Sequence, residues 1–265
     1  MSAVAPIITA SAAVTSVGMR RDHNEDAHLE AAPLFLVADG MGGYEAGEVA
    51  SAAAIGAFGN LVGRPCLDIA DFREAYKTAG ENVMAVGSGG RRSAGTTLTG
   101  VAVSQNHGAP YWLVVNVGDS RTYRFAGGQL EQISVDHSLV QEMIDAGELS
   151  VAEAAAHQSR NVVTRALGAG IVSEADFWMI PAAAGDRMLI CSDGLTGELA
   201  DAQIERVLAE SATPQRAAQA LVDAANAHGG RDNITVVIVD AIAVSRADDD
   251  VDGDTVPRDH SEVST

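Results

Sequence analysis

Five aspartates recur in one setting: each closes an apolar run or turn and is followed by a small or polar residue. They lie in NED at 24–26, ADG at 38–40, GDS at 118–120, SDG at 192–194 and RDN at 231–233. One such aspartate is ordinary turn chemistry, because the side chain accepts hydrogen bonds from nearby backbone amides. Five of them at the ends of strands that lie side by side would bring several carboxylates together. Such a group cannot stay ionised without counter-charge. Hard oxygen donors, with no clustered cysteine or histidine beside them, point to Mg²⁺ or Mn²⁺ rather than zinc. His23 and His28 flank NED, but no second ligand cluster matches them, so they read as surface or supporting histidines. In LFLVADGMGG (34–43), the apolar run fits a core strand with Asp39 at its mouth, a costly place for a carboxylate unless it is paired or bound to metal.

Other chemistries lack their signatures. The glycines at 40 and 42 resemble a dinucleotide fingerprint, but Glu45 stands where the third glycine is needed. Lys77, the only lysine, follows a tyrosine rather than a phosphate loop, and no GxSxG elbow supplies a nucleophilic serine. Water activated by metal is therefore the expected nucleophile.

The elements that must hold these residues are strands with helices inserted between groups of them. Apolar patterning predicts strands near 8–17, 34–38, 96–104, 111–117, 121–125, 175–180, 187–192 and 233–242. It predicts helices near 45–60, 68–86, 200–210 and 214–228, of which the first and last carry alanine-rich faces suited to packing on a sheet. Short turns after residues 117 and 126 predict hairpins and an antiparallel core. Residues 138–168 are polar and helical in character and interrupt the strands as an insertion, while from 244 onward periodicity fades into an acidic tail expected to be disordered.

Composition narrows the partners. The chain has 265 residues, is 47% hydrophobic and carries a formal charge of −19, which argues against a nucleic-acid track and an anionic membrane surface. No segment is apolar enough for a membrane span, and the N-terminal stretch lacks the basic start of a signal peptide. Two widely separated cysteines, Cys66 and Cys191, predict reduced thiols and a cytoplasmic location.

Taken in order, RxxNED (21–26), VADGMGG (37–43), SAGTTL (93–98), VGDSR (117–121), DHS (136–138), TRALG (164–168), CSDGL (191–195) and RDNIT (231–235) resemble the metal-dependent PPM family of protein serine/threonine phosphatases in its compact bacterial form. The resemblance spans roughly 9–242. It implies an α+β fold, an α-β-β-α sandwich of two antiparallel sheets flanked by helices. The implied organisation is a short N-terminal extension at 1–8, a catalytic domain at 9–243 with 138–168 as its flap, and the acidic tail at 244–265. The flap resembles a substrate gate; a packed structural subdomain is the competing reading of the same residues.

By the same resemblance, Asp39 bridges two Mn²⁺ or Mg²⁺ ions and the Gly40 carbonyl joins them. Asp193 and Asp232 complete one metal, Asp26 acts directly or through water, and Glu25 is an outer ligand of the second. Asp119, with Asp193, matches a weaker third site. Arg21 falls at the phosphate-binding arginine, although an arginine beside acidic groups also serves as a structural counter-ion. The implied reaction is in-line attack on phosphoserine or phosphothreonine by water or hydroxide held between two metals about 3.5–4 Å apart, with Arg21 holding the phosphate. Met41 occupies the position of a histidine in eukaryotic relatives, so the leaving-group proton would come from water held by the metals. The implied partners are phosphorylated proteins and a serine/threonine kinase that shares those targets; a monomer is the default oligomeric state. A small-molecule phosphohydrolase and a non-catalytic phosphoprotein-binding module are the alternatives.

Overall fold

The computed structural model describes residues 5–42, 46–88, 94–155, 157–168 and 174–245. The chain opens with β1 (Ile7–Ser16), β2 (Asp26–Ala31) and β3 (Leu34–Met41), followed by α1 (Ala46–Gly56) and α2 (Ile69–Ser88). Next come β4 (Gly95–Thr96), β5 (Leu98–Asn106), β6 (Ala109–Val117), β7 (Arg121–Ala126) and β8 (Gln129–Gln132). The short α3 (Leu139–Asp145) and α4 (Val151–Ala155) precede β9 (Asp176–Pro181) and β10 (Arg187–Cys191). Helices α5 (Asp193–Thr196), α6 (Asp201–Glu210) and α7 (Pro214–His228) lead into β11 (Ile234–Val244). The expected acidic tail lies, from residue 246 onward, outside the described residues.

The strands form two antiparallel sheets. One runs β1-β11-β10-β7-β8; the other runs β2-β3-β5-β6-β9, with β4 added to the end of β3. Period-two alternation explains why strands that read as unbroken apolar runs are buried on both faces. In β3, Phe35 and Val37 point between the sheets, against Met188, Ile190, Val237 and Val239 of the opposite sheet. Leu34, Leu36 and Ala38 point outward under α1 and α2, where Ala50, Ala54, Phe58 and Phe72 meet them. On the other outer face Leu189, Val236 and Ile238 are covered by Ile204, Leu208, Leu221 and Val222 of α6 and α7. Three apolar layers separate helix, sheet, sheet and helix, as the resemblance implied.

Two details depart from expectation. The turn after residue 117 does not close a hairpin. β6 pairs with β5 and β9, whereas β7 pairs with β10 and β8, so Gly118–Ser120 carries the chain from one sheet to the other. Positive φ at Gly118 (+107°) makes that crossing while the glycine packs against Thr97. The turn after 126 is a hairpin, and its second strand, β8, is short and polar enough to escape apolar patterning.

Sheet alternation also dictates what lies at the open end of the sandwich. Following the inward face from the apolar centre, the strands end on hydroxyls. Thr15 and Thr235 are 2.7 Å apart, Thr99 and Thr122 3.0 Å, and Thr97 and Ser120 2.8 Å. Beyond this belt the same face of β3 continues from Phe35 and Val37 to Asp39. The core thus passes from hydrocarbon to hydroxyl to carboxylate.

Candidate metal centre

Asp39 is fixed through its backbone. Its N–H donates to Thr97 Oγ1 at 2.9 Å, and its carbonyl accepts from Thr97 N–H and Thr96 Oγ1, both at 2.9 Å. Asp26 stands directly opposite it in the β2–β3 ladder. The 34–38 strand of the sequence reading therefore extends to Met41, and β2, whose DAHLEA sequence shows no apolar run, brings a second carboxylate alongside. Glu25 is held by its neighbours rather than by its own charge: its N–H donates to Asn233 Oδ1 at 2.9 Å, and its carbonyl accepts from Gly40 N–H at 3.1 Å and Ser51 Oγ at 2.6 Å.

Gly40 is required for close approach. A Cβ there would collide with the Gly47 carbonyl and lie 2.5 Å from the Glu25 carbonyl oxygen. Strand β3, the start of α1 and the Glu25 loop therefore meet at van der Waals contact, which leaves the Gly40 backbone at the floor of the cleft.

The opposite sheet supplies the rest. Asp193 opens α5 immediately after β10, and Asp232 lies in the turn before β11. Asp119 is buried in the crossing between β6 and β7. Together with Arg21, Glu25, Asp39, Gly40, Met41 and Asn233, these residues line one cleft of about 390 Å³, with Asn161 and Val163 of the 138–168 insertion forming a wall. Asp26 sits behind this lining, with Oδ2 accepting from Ser192 Oγ at 2.8 Å.

The charges in this cleft are under strain from one another. Burial, then Asp26, Asp193, Asp119 and Asp232, hold the Asp39 carboxyl well above the usual carboxylate range. Burial first and Asp232 second also raise Asp193, whose carboxyl is eased by a hydrogen bond with Asp39. Asp26 is pushed up to about 7 by burial and by Asp193 and Asp232, against the hydroxyls of Thr235 and Ser192. Asp119 is likewise pushed up to about 7 by burial, Asp193 and Asp136, with Arg121 opposing.

These observations fit bound hard cations. Buried Asp26 Oδ1 lacks a hydrogen-bond partner, and burial together with neighbouring carboxylates raises Asp39 and Asp193, a crowding that bound positive charge would relieve. The cleft lining contains, among the described residues, no cysteine and no histidine, which suits Mn²⁺ or Mg²⁺. Among the described residues, no three acidic or histidine side chains close around a single point. The carboxylates instead surround a wider cleft.

Arg21 donates from Nη2 to Asp232 Oδ2 at 2.7 Å, with both side chains substantially exposed. This is the counter-ion arrangement, and it leaves the remainder of the guanidinium fork at the cleft mouth. Asn233 is a supporting residue that the sequence reading passed over. Beyond holding Glu25, its Nδ2 donates to the carbonyls of Val17 at 3.0 Å and His23 at 2.9 Å, so one buried amide shapes the loop carrying Arg21. Its signal was its place beside Asp232 in RDNIT. His23 and His28 are absent from the cleft lining, and both cysteines are free thiols.

A family model described as protein phosphatase 2C matches residues 17–226. The chain is 35% identical over 239 residues to the serine/threonine phosphatase stp of Listeria innocua, covering 85% of this chain and 93% of that one. The crystal structure of the Mycobacterium tuberculosis serine/threonine phosphatase PstP/Ppp superposes with a TM-score of 0.82 at 36% identity, over 89% of this chain and 99% of the other. The catalytic domain of serine threonine protein phosphatase PstP, solved in complex with two manganese ions, gives a TM-score of 0.80 at 34% identity over 89% and 100%.

Proposed function

The chain belongs to the protein phosphatase 2C family, the metal-dependent serine/threonine phosphatases that its motifs resemble, and on that premise we propose how its cleft binds and hydrolyses phosphoserine and phosphothreonine in proteins. The observation that carries the reading is the meeting of Asp39, Gly40, Asp119, Asp193, Asp232 and Arg21 in one cleft at the open end of the sandwich. Asp39 would lie between two divalent cations. The Gly40 carbonyl would join Asp39 in holding them, Asp193 and Asp232 would serve one cation, Glu25 the other as an outer ligand, and Asp26 would act directly or through water. A weaker third cation would take Asp119 with Asp193.

When bound, the cations supply Lewis-acid activation of water and neutralise phosphate charge. The chain does the rest. Arg21 presents guanidinium N–H groups to phosphate oxygens at the mouth, Asp232 keeping the fork in place through its other side. The Thr96–Thr97 backbone and hydroxyls hold Asp39 without adjustment during reaction, which favours electrostatic preorganisation. Asn161 and Val163 border the space that a phosphorylated side chain must enter, which supports the gate reading of 138–168.

The catalytic domain then runs 9–243 with 138–168 as its flap, although β1 already begins at Ile7 and β11 ends at Val244. No helix among the described residues is long and apolar enough to cross a membrane. We take the enzyme to act as a cytoplasmic monomer that opposes a serine/threonine kinase on shared targets.

The test compares a phosphothreonine peptide with p-nitrophenyl phosphate under Mn²⁺, in wild type and Arg21→Ala. A protein phosphatase hydrolyses the peptide, and Arg21→Ala lowers kcat/KM on both substrates. Preference for the small ester with no peptide turnover would support the small-molecule phosphohydrolase. Peptide binding without hydrolysis of either substrate would support the binding module.

A further inference from the structure

His137 lies outside the cleft lining, is only 5% exposed, and is nevertheless where three parts of the site meet. Its Nδ1 accepts from Gly118 N–H at 3.2 Å, while its own N–H donates to the Gly118 carbonyl at 2.9 Å. The residue before Asp119 is thereby gripped at both polar groups. Asn116 Nδ2 adds a third bond, to the same carbonyl, at 3.1 Å. On the other side the His137 carbonyl accepts from Thr164 N–H at 2.8 Å, at the returning end of the 138–168 insertion.

The ring completes the connection. Because Nδ1 accepts, its proton is assigned to Nε2, which faces Asp176 Oδ2 at 3.0 Å. Asp176 opens β9 opposite Asn116 of β6, so the sheet holds this acceptor fixed. Arg165 Nη1 lies 3.6 Å from Asp176 Oδ1 and 3.5 Å from His137 Nε2. Two donors do not bond each other, so Arg165 is held by the carboxylate. Asp176 therefore carries both the ring and, through Arg165, the returning arm of the insertion; two residues after Arg165, Leu167 exchanges backbone bonds with Thr96.

We propose that His137 is a positioning residue: a latch that fixes the Gly118–Asp119 turn and, through Asp176, Arg165 and Thr164, ties it to the cleft wall carrying Asn161 and Val163. Loosening the latch changes the presentation of Asp119 and the position of that wall together. The proposal rests on the reading of Asp119 and residues 138–168 as elements of the substrate cleft. A histidine serving only the fold would show no such selectivity.

His137→Asn separates the two arms. Its side-chain oxygen can accept from Gly118 N–H in place of Nδ1, but the shorter group does not reach Asp176. His137→Ala removes both contacts. Amide exchange on the metal-free proteins, together with Mn²⁺-dependent kinetics on a phosphothreonine peptide and p-nitrophenyl phosphate, reads the consequences. In His137→Ala, exchange rises at least tenfold at 118–120 and at 160–166 while β10 and β11 keep their protection. Peptide KM rises several-fold more than that of the small ester, and activation requires more Mn²⁺. In His137→Asn, protection at 118–120 returns with the wild-type Mn²⁺ requirement, whereas 160–166 and the peptide KM stay perturbed. Unchanged local exchange, or an even rise across all strands, overturns the latch. Local loosening with wild-type kinetics overturns the reading of Asp119 and the insertion as cleft elements, and the proposal with it.

Discussion

Replacing Asp119 with asparagine should stabilise the metal-free protein at alkaline pH, although the substitution alters the cleft. Asp119 is 8% exposed, and its carboxyl is pushed up to about 7 from the ordinary 3.8 by burial and by Asp193 and Asp136. In the unfolded chain this group releases its proton near 3.8; in the folded chain it keeps it until about 7. Between those values the unfolded state binds fewer protons, so stability falls as pH rises through the window and is level on either side. The full difference corresponds to roughly 4 kcal/mol at 1.36 kcal/mol per pH unit. Part of it is repulsion shared with Asp193, which leaves about 2 kcal/mol for asparagine to relieve. In a chain of this size that is a melting-temperature rise of roughly 4–8 °C. Calorimetry in EDTA at pH 8 and pH 4.5 provides the assay, with the full gain present at the first and only about a quarter of it at the second. An equal effect at both, or a lower melting temperature for the variant at pH 8, would refute the account of Asp119 as a carboxyl crowded by burial and by neighbouring carboxylates.

Other residues give equally direct outcomes. Added Mn²⁺ should raise the wild-type melting temperature more at pH 8 than at pH 5.5, because protons on Asp26 and Asp119 compete with the cation at the lower pH; thermal shift assays check this. Gly40→Ala forces β3 away from Gly47 and Glu25, so it should cost about 1–3 kcal/mol and weaken Mn²⁺ binding measured by calorimetry. Asp186 lies at the start of β10, far from the cleft, and accepts from Arg124 Nη2 at 2.7 Å, Ala183 N–H at 2.9 Å and Trp112 Nε1 at 3.2 Å. Asp186→Ala strands the partly buried arginine and should cost roughly 3–5 kcal/mol in urea unfolding, with kcat/KM unchanged below the melting transition.

The parts legible in the sequence were those whose signal is local. Apolar runs announced β3, β6, β10 and β11, and the alanine faces of α1 and α7 announced their packing. The aspartates were visible because each closes an apolar run or a turn. Strand β2 was not, since an edge strand carrying DAHLEA takes its register from β3 rather than from its own hydrophobicity. The 117–121 turn looked like a hairpin because turn residues specify a reversal but not which sheet receives the next strand. The hydroxyl belt of Thr15, Thr97, Thr99, Ser120, Thr122 and Thr235 was invisible for another reason. Each is an unremarkable threonine or serine until sheet packing brings them together in pairs. Asn233 and His137 share that character, and their importance lies in the distant backbone they hold.

The central claim is that Asp39 organises the cations through which this cleft acts on phosphoproteins. Calorimetric Mn²⁺ binding together with phosphothreonine-peptide turnover, in wild type and Asp39→Asn, tests it most directly. The account predicts two tightly bound Mn²⁺ equivalents for wild type, and for the variant weakened binding with turnover reduced by at least about a thousandfold, the loss of some 4 kcal/mol of charge stabilisation. Asp39→Asn that binds Mn²⁺ normally and turns over within tenfold of wild type would contradict it.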